Sequence, residues 1–317
     1  MALYLTERDV EELLTMEMAL EAVEAAHLAH ARGRAIDVPR QRTRIPTAAL
    51  HILQGALLDE GVFGYKAYTT SRAGARFLVH LFDAATGGLL AVLEADRLGM
   101  MRTGAAGGIA AKWLARPDAA EAGVFGAGWQ AQGQIEALCR VRPIRRVKVF
   151  SRDEQKRRLF CESETRRLGI DVVPAAGAEE VVRGSDVVIT ITSATAPLFA
   201  GDSLAAGTHV TAAGSNALIR REIDEKAVQR ASRVCVDSRA TAVREAGDLL
   251  PALEKGRLAE GQLVELGEVV AGMRPGRLDP DEITLFESQG MAIQDLAVAK
   301  RLLAVAREQG RGVELPY

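Results

Sequence analysis

The sequence predicts an α/β protein. A doubly wound parallel-sheet domain spans residues 117–289, and a second, α+β domain is built from residues 1–116 together with 290–317. Three observations carry this reading. From Pro117 onward short apolar strands alternate with helices, the order that a parallel sheet with right-handed crossovers requires. A glycine turn, Gly126-Ala127-Gly128, stands between the first of these strands and its helix. Residues 50–95 read instead as a meander of strands with no helix between them.

Residues 7–32 carry Val10, Leu13, Leu14, Ala19, Leu20 and Val23 at three- and four-residue steps, one amphipathic helix. The apolar runs His51–Leu53, Phe63–Tyr68 and Phe77–Phe82 are strands, and Asp83–Gly88 is a hairpin signal. Asp96–Ala115, rich in alanine and glycine, is a long helix ended by Arg116-Pro117. The alternating half follows: strand Ala122–Phe125, helix 129–140, strand Val147–Phe150, helix Glu154–Leu168 and strand Asp171–Val173. Then come helix Glu179–Val182 and the strands Val187–Thr192, His209–Ala212 and Val234–Val236. Ile283–Ala306 reads as a closing alanine-rich helix.

At 317 residues the chain has roughly two domains' worth of length, enough to bury a core without disulfide or metal. Lysine plus arginine (40) nearly balance aspartate plus glutamate (42), which argues against a nucleic-acid partner bound through bulk charge. No apolar run approaches the ~20 residues of a membrane helix, and the charged start offers no signal-peptide core. Cys139, Cys161 and Cys235 lie far apart with no paired metal spacing. A cytoplasmic protein with neither membrane nor nucleic-acid partner is expected. His27 and His30, at i and i+3 on a helix, read as a solvated or packing pair, and no metal site is expected.

Gly126 permits a tight turn, Gly128 a close approach of backbone to a pyrophosphate, and Ala131 close packing of helix on strand. The helix N-terminus behind the turn offers unpaired N–H groups to the phosphates. On the first strand of a βαβ series this is the Rossmann-type dinucleotide signature, and Gly126, Ala127, Gly128, Trp129 and Gln130 are candidate cofactor residues. The second strand ends in Ser151-Arg152, where an NAD-preferring site would place a carboxylate to receive the ribose hydroxyl. A hydroxyl beside a guanidinium suits a 2′-phosphate, so NADP(H) is preferred and NAD(H) remains possible. Thr192 and Ser193 follow a strand end, where doubly wound sheets hold ligands, and read as skirting the nicotinamide ribose. Asp237-Ser238 reads as loop structure, and Glu245–Asp248 as a helix stop with acidic groups in solvent.

Several stretches together resemble the ornithine cyclodeaminase/μ-crystallin family: Pro39–Thr43, Gly64–Tyr68, Met101–Ala105, Gly126-Ala127-Gly128-x-Gln130, Ala213–Asn216, Val236–Ser238, Glu245–Leu249 and Gly290–Ala292. The resemblance implies a homodimer joined through the split domain, with substrate held between the two domains. It implies that Arg42, Lys66 and Arg102 are substrate-site cations and that Thr103 contacts phosphate. Ser288 and Gly290 fall where the chain re-enters the first domain and read as lying near the nicotinamide. The chemistry of the cations stands independently: a forked guanidinium can grip the carboxylate of a 2-imino acid bidentately, and a buried lysine can deliver a proton near the imine nitrogen. Arg42 competes with Arg40 and Arg44, and its spacing to Pro46 and Lys66 favours it.

One departure from the family pattern matters. Members that cyclise ornithine carry an aspartate over the substrate amine where this chain has Asn216, and an amide can neither attract an ammonium nor accept its proton. The expected activity is therefore NAD(P)H-dependent reduction of a small 2-imino acid, such as Δ1-pyrroline-2-carboxylate or Δ1-piperideine-2-carboxylate, with Asn216 orienting the nitrogen. The alternatives are ornithine cyclodeaminase, an alanine dehydrogenase-like enzyme, and a non-catalytic μ-crystallin-like NADPH- and ligand-binding protein.

Overall fold

The computed structural model describes Met1–Pro316, and the elements and counts below are those of these residues. The chain divides into two compact units, Met1–Arg102 with the chain from Gly290 on, and Thr103–Gln289. In order come β1 (Ala2–Leu5), α1 (Glu7–Leu13), α2 (Met16–Ala31), β2 (Ala35–Ile45), β3 (Ala48–Leu57), β4 (Val62–Ser71), β5 (Gly74–Asp83), β6 (Leu89–Glu94) and α3 (Asp96–Leu114). The second unit continues with β7 (Glu121–Phe125), α4 (Trp129–Val141), β8 (Arg146–Phe150), α5 (Glu154–Leu168), β9 (Asp171–Pro174), α6 (Ala178–Val182), β10 (Val187–Thr190) and β11 (His209–Ala212). It ends with α7 (Glu225–Arg230), β12 (Arg233–Val236), α8 (Arg239–Glu245), α9 (Leu250–Glu254), β13 (Val264–Glu265), α10 (Leu266–Val270) and β14 (Thr284–Glu287). The first unit resumes with α11 (Ala292–Glu308) and β15 (Val313–Leu315).

The boundary between units falls inside α3 rather than after it at residue 116. The later turns of α3 belong to the second unit and pack on α4 through glycines: a Cβ on Gly104 would stand 2.2 Å from the Gly133 carbonyl oxygen, and one on Gly107 2.2 Å from Gln134 Oε1.

The first unit's sheet runs β15-β1-β6-β5-β4-β3-β2 and is antiparallel except where β1 lies beside β6. One face is covered by α11. Gly55 and Gly64 admit that helix, since a Cβ on them would lie 3.2 Å from Ile293 Cγ2 and 3.1 Å from Leu296 Cδ2. Leu53, Lys66 and Val79 lie in register across β3, β4 and β5 and are buried. Two expectations change here. The single helix over 7–32 is two, because the Thr15 hydroxyl accepts from Met18 N–H and starts a new helix just after α1 ends. β2 was not foreseen as a strand; its alternating residues are arginines rather than apolar groups, and Pro39 is tolerated at an edge-strand bulge between Val38 and Gln41.

The second unit's sheet runs β13-β12-β14-β11-β10-β7-β8-β9 with every pairing parallel. This is the doubly wound α/β architecture. The strand order reverses between β7 and β10, and the carboxyl ends of those two strands carry the glycine turn and Ile191-Thr192. The expected helix over Ile283–Ala306 is corrected. Its first residues form β14, buried between β11 and β12, and the helix starts only at Ala292. A short apolar strand buried on both faces has no two-residue alternation, so periodicity cannot tell it from a buried helix. Among the described residues no helix is long and apolar enough to cross a membrane.

Candidate active site

At the carboxyl ends of β7, β8 and β10 lies a groove of about 510 Å³, lined by Gly126, Ala127, Gly128, Ser151, Arg152, Thr192, Ser193 and neighbouring residues. Gly126 has φ +120, and a Cβ there would stand 2.6 Å from the Ile191 carbonyl oxygen, so the tight turn needs glycine. A Cβ on Gly128 would meet nothing within 4 Å, which leaves the backbone open to a ligand. Gly128 is also the N-cap of α4 and brings no side chain to cap it, so first-turn N–H groups remain for an anion. Gln130 Oε1 is buried without a hydrogen-bond partner among the described residues. Turn, uncapped helix and orphaned amide together fit a dinucleotide.

At the tip of β8 Arg152 is exposed. The neighbouring Asp153 carboxylate is committed to α5, accepting the Lys156 N–H at 3.0 Å. Thr192 lines the groove, but its backbone N–H and its hydroxyl both donate to Glu222 Oε1, at 2.5 and 2.6 Å. Glu222 therefore shapes this wall of the groove. Its other oxygen accepts the Gly214 N–H at 2.8 Å, and its own N–H donates to Asp248 at 2.6 Å. Burial first, then Asp248, pushes the Glu222 carboxyl up to about 7 against the hydrogen bonds from Thr192. Glu287, fully buried, is pushed well up for the same reason, with Asp248 and Glu222 facing it. Asp248 and Glu245 are buried, which corrects the reading of Glu245–Asp248 as acids in solvent. Asp248 faces inward and accepts the backbone N–H groups of Glu222 and Ile223 on one oxygen.

The first unit brings two of the three expected cations onto one acid. Asp295, fully buried in the first turn of α11, receives Lys66 Nζ and Arg102 Nε on the same oxygen, each at 3.0 Å. Lys66 is only 3% exposed, and its ammonium lies 5.3 Å from the centre of the Phe77 ring and 6.0 Å from that of Tyr68. Burial lowers Lys66 to about 8, with Asp295 opposing and Arg102 and Arg40 adding to the fall. Arg102 Nη1 donates to Gln294 Oε1 at 3.0 Å, so two of its donors are engaged within the unit. Arg42 stands in the adjacent cross-strand row Arg42–His51–Tyr68–Phe77, where His51 stacks on Tyr68 at 4.2 Å. Burial and then Arg42, Arg40 and Arg44 hold His51 down to about 4, so it stays neutral in this positive field.

The remaining expected residues are placed as follows. Trp129 opens α4, is partly exposed and does not line the groove. The Thr103 carbonyl accepts from the buried Gln134 of α4 at 3.1 Å. Asn216 is exposed on the loop after β11. Ser288 is not in the groove; it is buried, donating to Asp237 at 2.9 Å. Gly290, at φ +79, belongs to the first unit, where a Cβ would stand 2.3 Å from Arg102 Nη1; it makes room for the guanidinium. Sequence reasoning missed Asp295, Gln294 and Glu222, because nothing local marks an acid in a helix or loop as the partner of a residue distant in the chain. His27 is fully buried against Gln294 at 3.0 Å, a packing position rather than a solvated one.

The model of the ornithine cyclodeaminase/mu-crystallin family matches residues 2–310. The chain is 37% identical over 241 residues to a Delta(1)-pyrroline-2-carboxylate reductase of Bacillus cereus, covering 76% of this chain and 74% of that protein. It matches the structure of Thermococcus litoralis Delta(1)-pyrroline-2-carboxylate reductase in complex with NADH and L-proline at TM-score 0.95 and 33% identity, over 99% of this chain and 100% of that one. An archaeal alanine dehydrogenase dimer with bound NAD matches at TM-score 0.94 and 34% identity, over 100% and 99%. The chain belongs to the ornithine cyclodeaminase/mu-crystallin family.

Proposed function

We propose that this chain reduces a small cyclic 2-imino acid, Δ1-pyrroline-2-carboxylate or its six-membered homologue, to the L-amino acid with a reduced nicotinamide dinucleotide. The observation that carries the reading is the buried Lys66–Arg102 pair on Asp295, in a chain alike over its whole length to a reductase solved with NADH and L-proline. Gly126, Ala127, Gly128, Ser151, Arg152, Thr192 and Ser193 would hold the cofactor, which when bound supplies a hydride to the imine carbon. Arg42, Lys66 and Arg102 grip the substrate carboxylate through charge-assisted hydrogen bonds. Reduction of a protonated imine leaves a neutral amine, and Lys66, held near 8, is acidic enough to give that more basic nitrogen a proton. Asn216 offers the nitrogen neutral hydrogen bonds only, which favours reduction over cyclodeamination.

The preferred cofactor is NADPH. Arg152 presents a guanidinium at the β8 tip, while Asp153 is occupied as a helix cap and Glu154 pairs with Arg158. The relatives bound to NADH and NAD favour the opposite preference, and Arg152 supports NADPH against them. The working protein is a homodimer, like the archaeal relative. The sheet face opposite α11 carries Ile36, Leu50 and Phe63, 53%, 38% and 40% exposed, around the stacked Tyr65 and His80; a second copy would cover this apolar surface.

Purified protein with NADPH or NADH is offered cyclic imino acids, then pyruvate with ammonia, then ornithine alone. Loss of reduced-nicotinamide absorbance with the cyclic imines, and L-proline as product, is the expected result. Faster turnover of pyruvate with ammonia moves the assignment to alanine dehydrogenation. Proline formed from ornithine without added reductant overturns it.

A further inference from the structure

We propose that Asp295 is the positioning residue of the imino-acid site: from one carboxylate oxygen it aims both the Lys66 ammonium and the Arg102 guanidinium, and Gln294 backed by His27 fixes the plane of that guanidinium. The inference rests on the reading of Lys66 as proton donor to the substrate nitrogen.

The packing is built around this acid. Both cations reach Asp295 Oδ1 at 3.0 Å through spaces that only glycine leaves. A Cβ on Gly99 would stand 2.9 Å from Lys66 Nζ, and one on Gly290 2.3 Å from Arg102 Nη1. The first turn of α11 is tied to β2, where Asp37 accepts the Ala292 N–H at 2.7 Å, so the helix carries Asp295 at a fixed height over the sheet. Behind it the hydrogen bonds admit one arrangement. Arginine can only donate, so Gln294 must turn Oε1 to Arg102, which puts its NH₂ on His27 Nε2.

Asp295 Oδ2 is buried and has no hydrogen-bond partner among the described residues. A buried carboxylate oxygen without a partner is uncommon, and it leaves Oδ1 as the atom on which both cations converge. The charges facing Lys66 are Asp295 from α11, Arg102 from α3 and Arg40 from β2, beside the neutral His51 of the next row. Asp295 is thus the group that opposes burial and two cations in keeping Lys66 charged. When the amine product takes the proton from Lys66, Asp295 still accepts a hydrogen bond from the neutral lysine, and solvent restores the proton after product leaves.

The test is Asp295→Asn, Asp295→Glu and Gln294→Leu, each followed as kcat/KM for the cyclic imine against pH and as cofactor affinity. The wild-type profile should fall on its basic side near 8, where Lys66 loses its proton. Asp295→Asn should move that limb toward acid by about one pH unit and lower kcat roughly a hundredfold, with cofactor affinity changed less than about twofold. Asp295→Glu should return the limb while kcat stays low. Gln294→Leu should leave the limb in place and raise KM for the imine roughly tenfold. An unmoved limb in Asp295→Asn, with activity lost only in proportion to unfolded protein, overturns the proposal. If that variant does not fold, an unchanged KM in Gln294→Leu does so. Enzyme containing carbon-13 lysine, with the Lys66 signal identified by its absence in Lys66→Met, gives a titration independent of turnover. Inactivity on every imine with the Asp295-dependent shift present sinks the functional reading alone; activity without the shift sinks the positioning role alone.

Discussion

The groove of the second unit takes its lining from strand ends and the turns that follow them, Phe125–Gly128, Phe150–Arg152 and Ile191–Ala196, so chain order alone nearly writes it. The cation cluster of the first unit draws Lys66 from β4, Arg102 from α3, Asp295 and Gln294 from α11 and His27 from α2, and no two of these elements are adjacent in sequence except through the fold. The groove is open and built of backbone. The cluster is closed and built of charge. A backbone site tolerates exchange of its side chains but not added volume at its glycines, whereas a charge site tolerates little exchange because each ion is held by the next.

That contrast can be broken or sharpened by substitution. Lys66→Met should lower kcat/KM for the cyclic imine by about three orders of magnitude, as loss of a proton donor does, while leaving cofactor affinity unchanged. A comparable loss of NADPH binding would join the two sites energetically and break the distinction. Gly126→Val should do the reverse. At φ +120 and 2.6 Å from the Ile191 carbonyl, the added side chain should weaken NADPH by roughly a hundredfold, read by fluorescence titration. Arg152→Ala should weaken NADPH about tenfold and NADH within about twofold; equal effects refute the 2′-phosphate assignment.

The smallest effect concerns Glu222. Its carboxyl is held up to about 7 in the folded chain against an ordinary 4.5, so its contribution to stability is present in full below about 4.5 and is lost as pH rises through about 7. Between these values the wild-type Tm should therefore fall by a few degrees relative to that of Glu222→Gln. A wild-type Tm that rises relative to that variant over this range contradicts the buried-acid description of the groove wall.

The same contrast explains what could be read from the sequence. Gly126, Gly128, Ser151 and Thr192 were legible because a strand, a turn and a helix in succession place them at one sheet edge. Lys66 was visible as an odd cation on an apolar strand, and Arg102 and Arg42 only through resemblance to a family. Asp295 and Gln294 were not visible, since they sit in an alanine-rich helix whose start the sequence set too early. That error had one cause: Ile283–Glu287 is buried on both faces, and a strand buried in mid-sheet carries no period to distinguish it from the helix that follows. Glu222 and Asp248 were hidden for a related reason. Acids that turn inward to hold loop N–H groups look, in sequence, like acids in water.

The most direct measurement follows the transferred hydrogen. Enzyme is given Δ1-pyrroline-2-carboxylate and reduced dinucleotide carrying deuterium at the transferring position of the nicotinamide ring, and the product is read by mass spectrometry and chiral chromatography. L-proline with a single deuterium on its α-carbon, formed in step with oxidised cofactor, is the expected result. Proline without deuterium, or oxidation of cofactor with no proline formed, would contradict it.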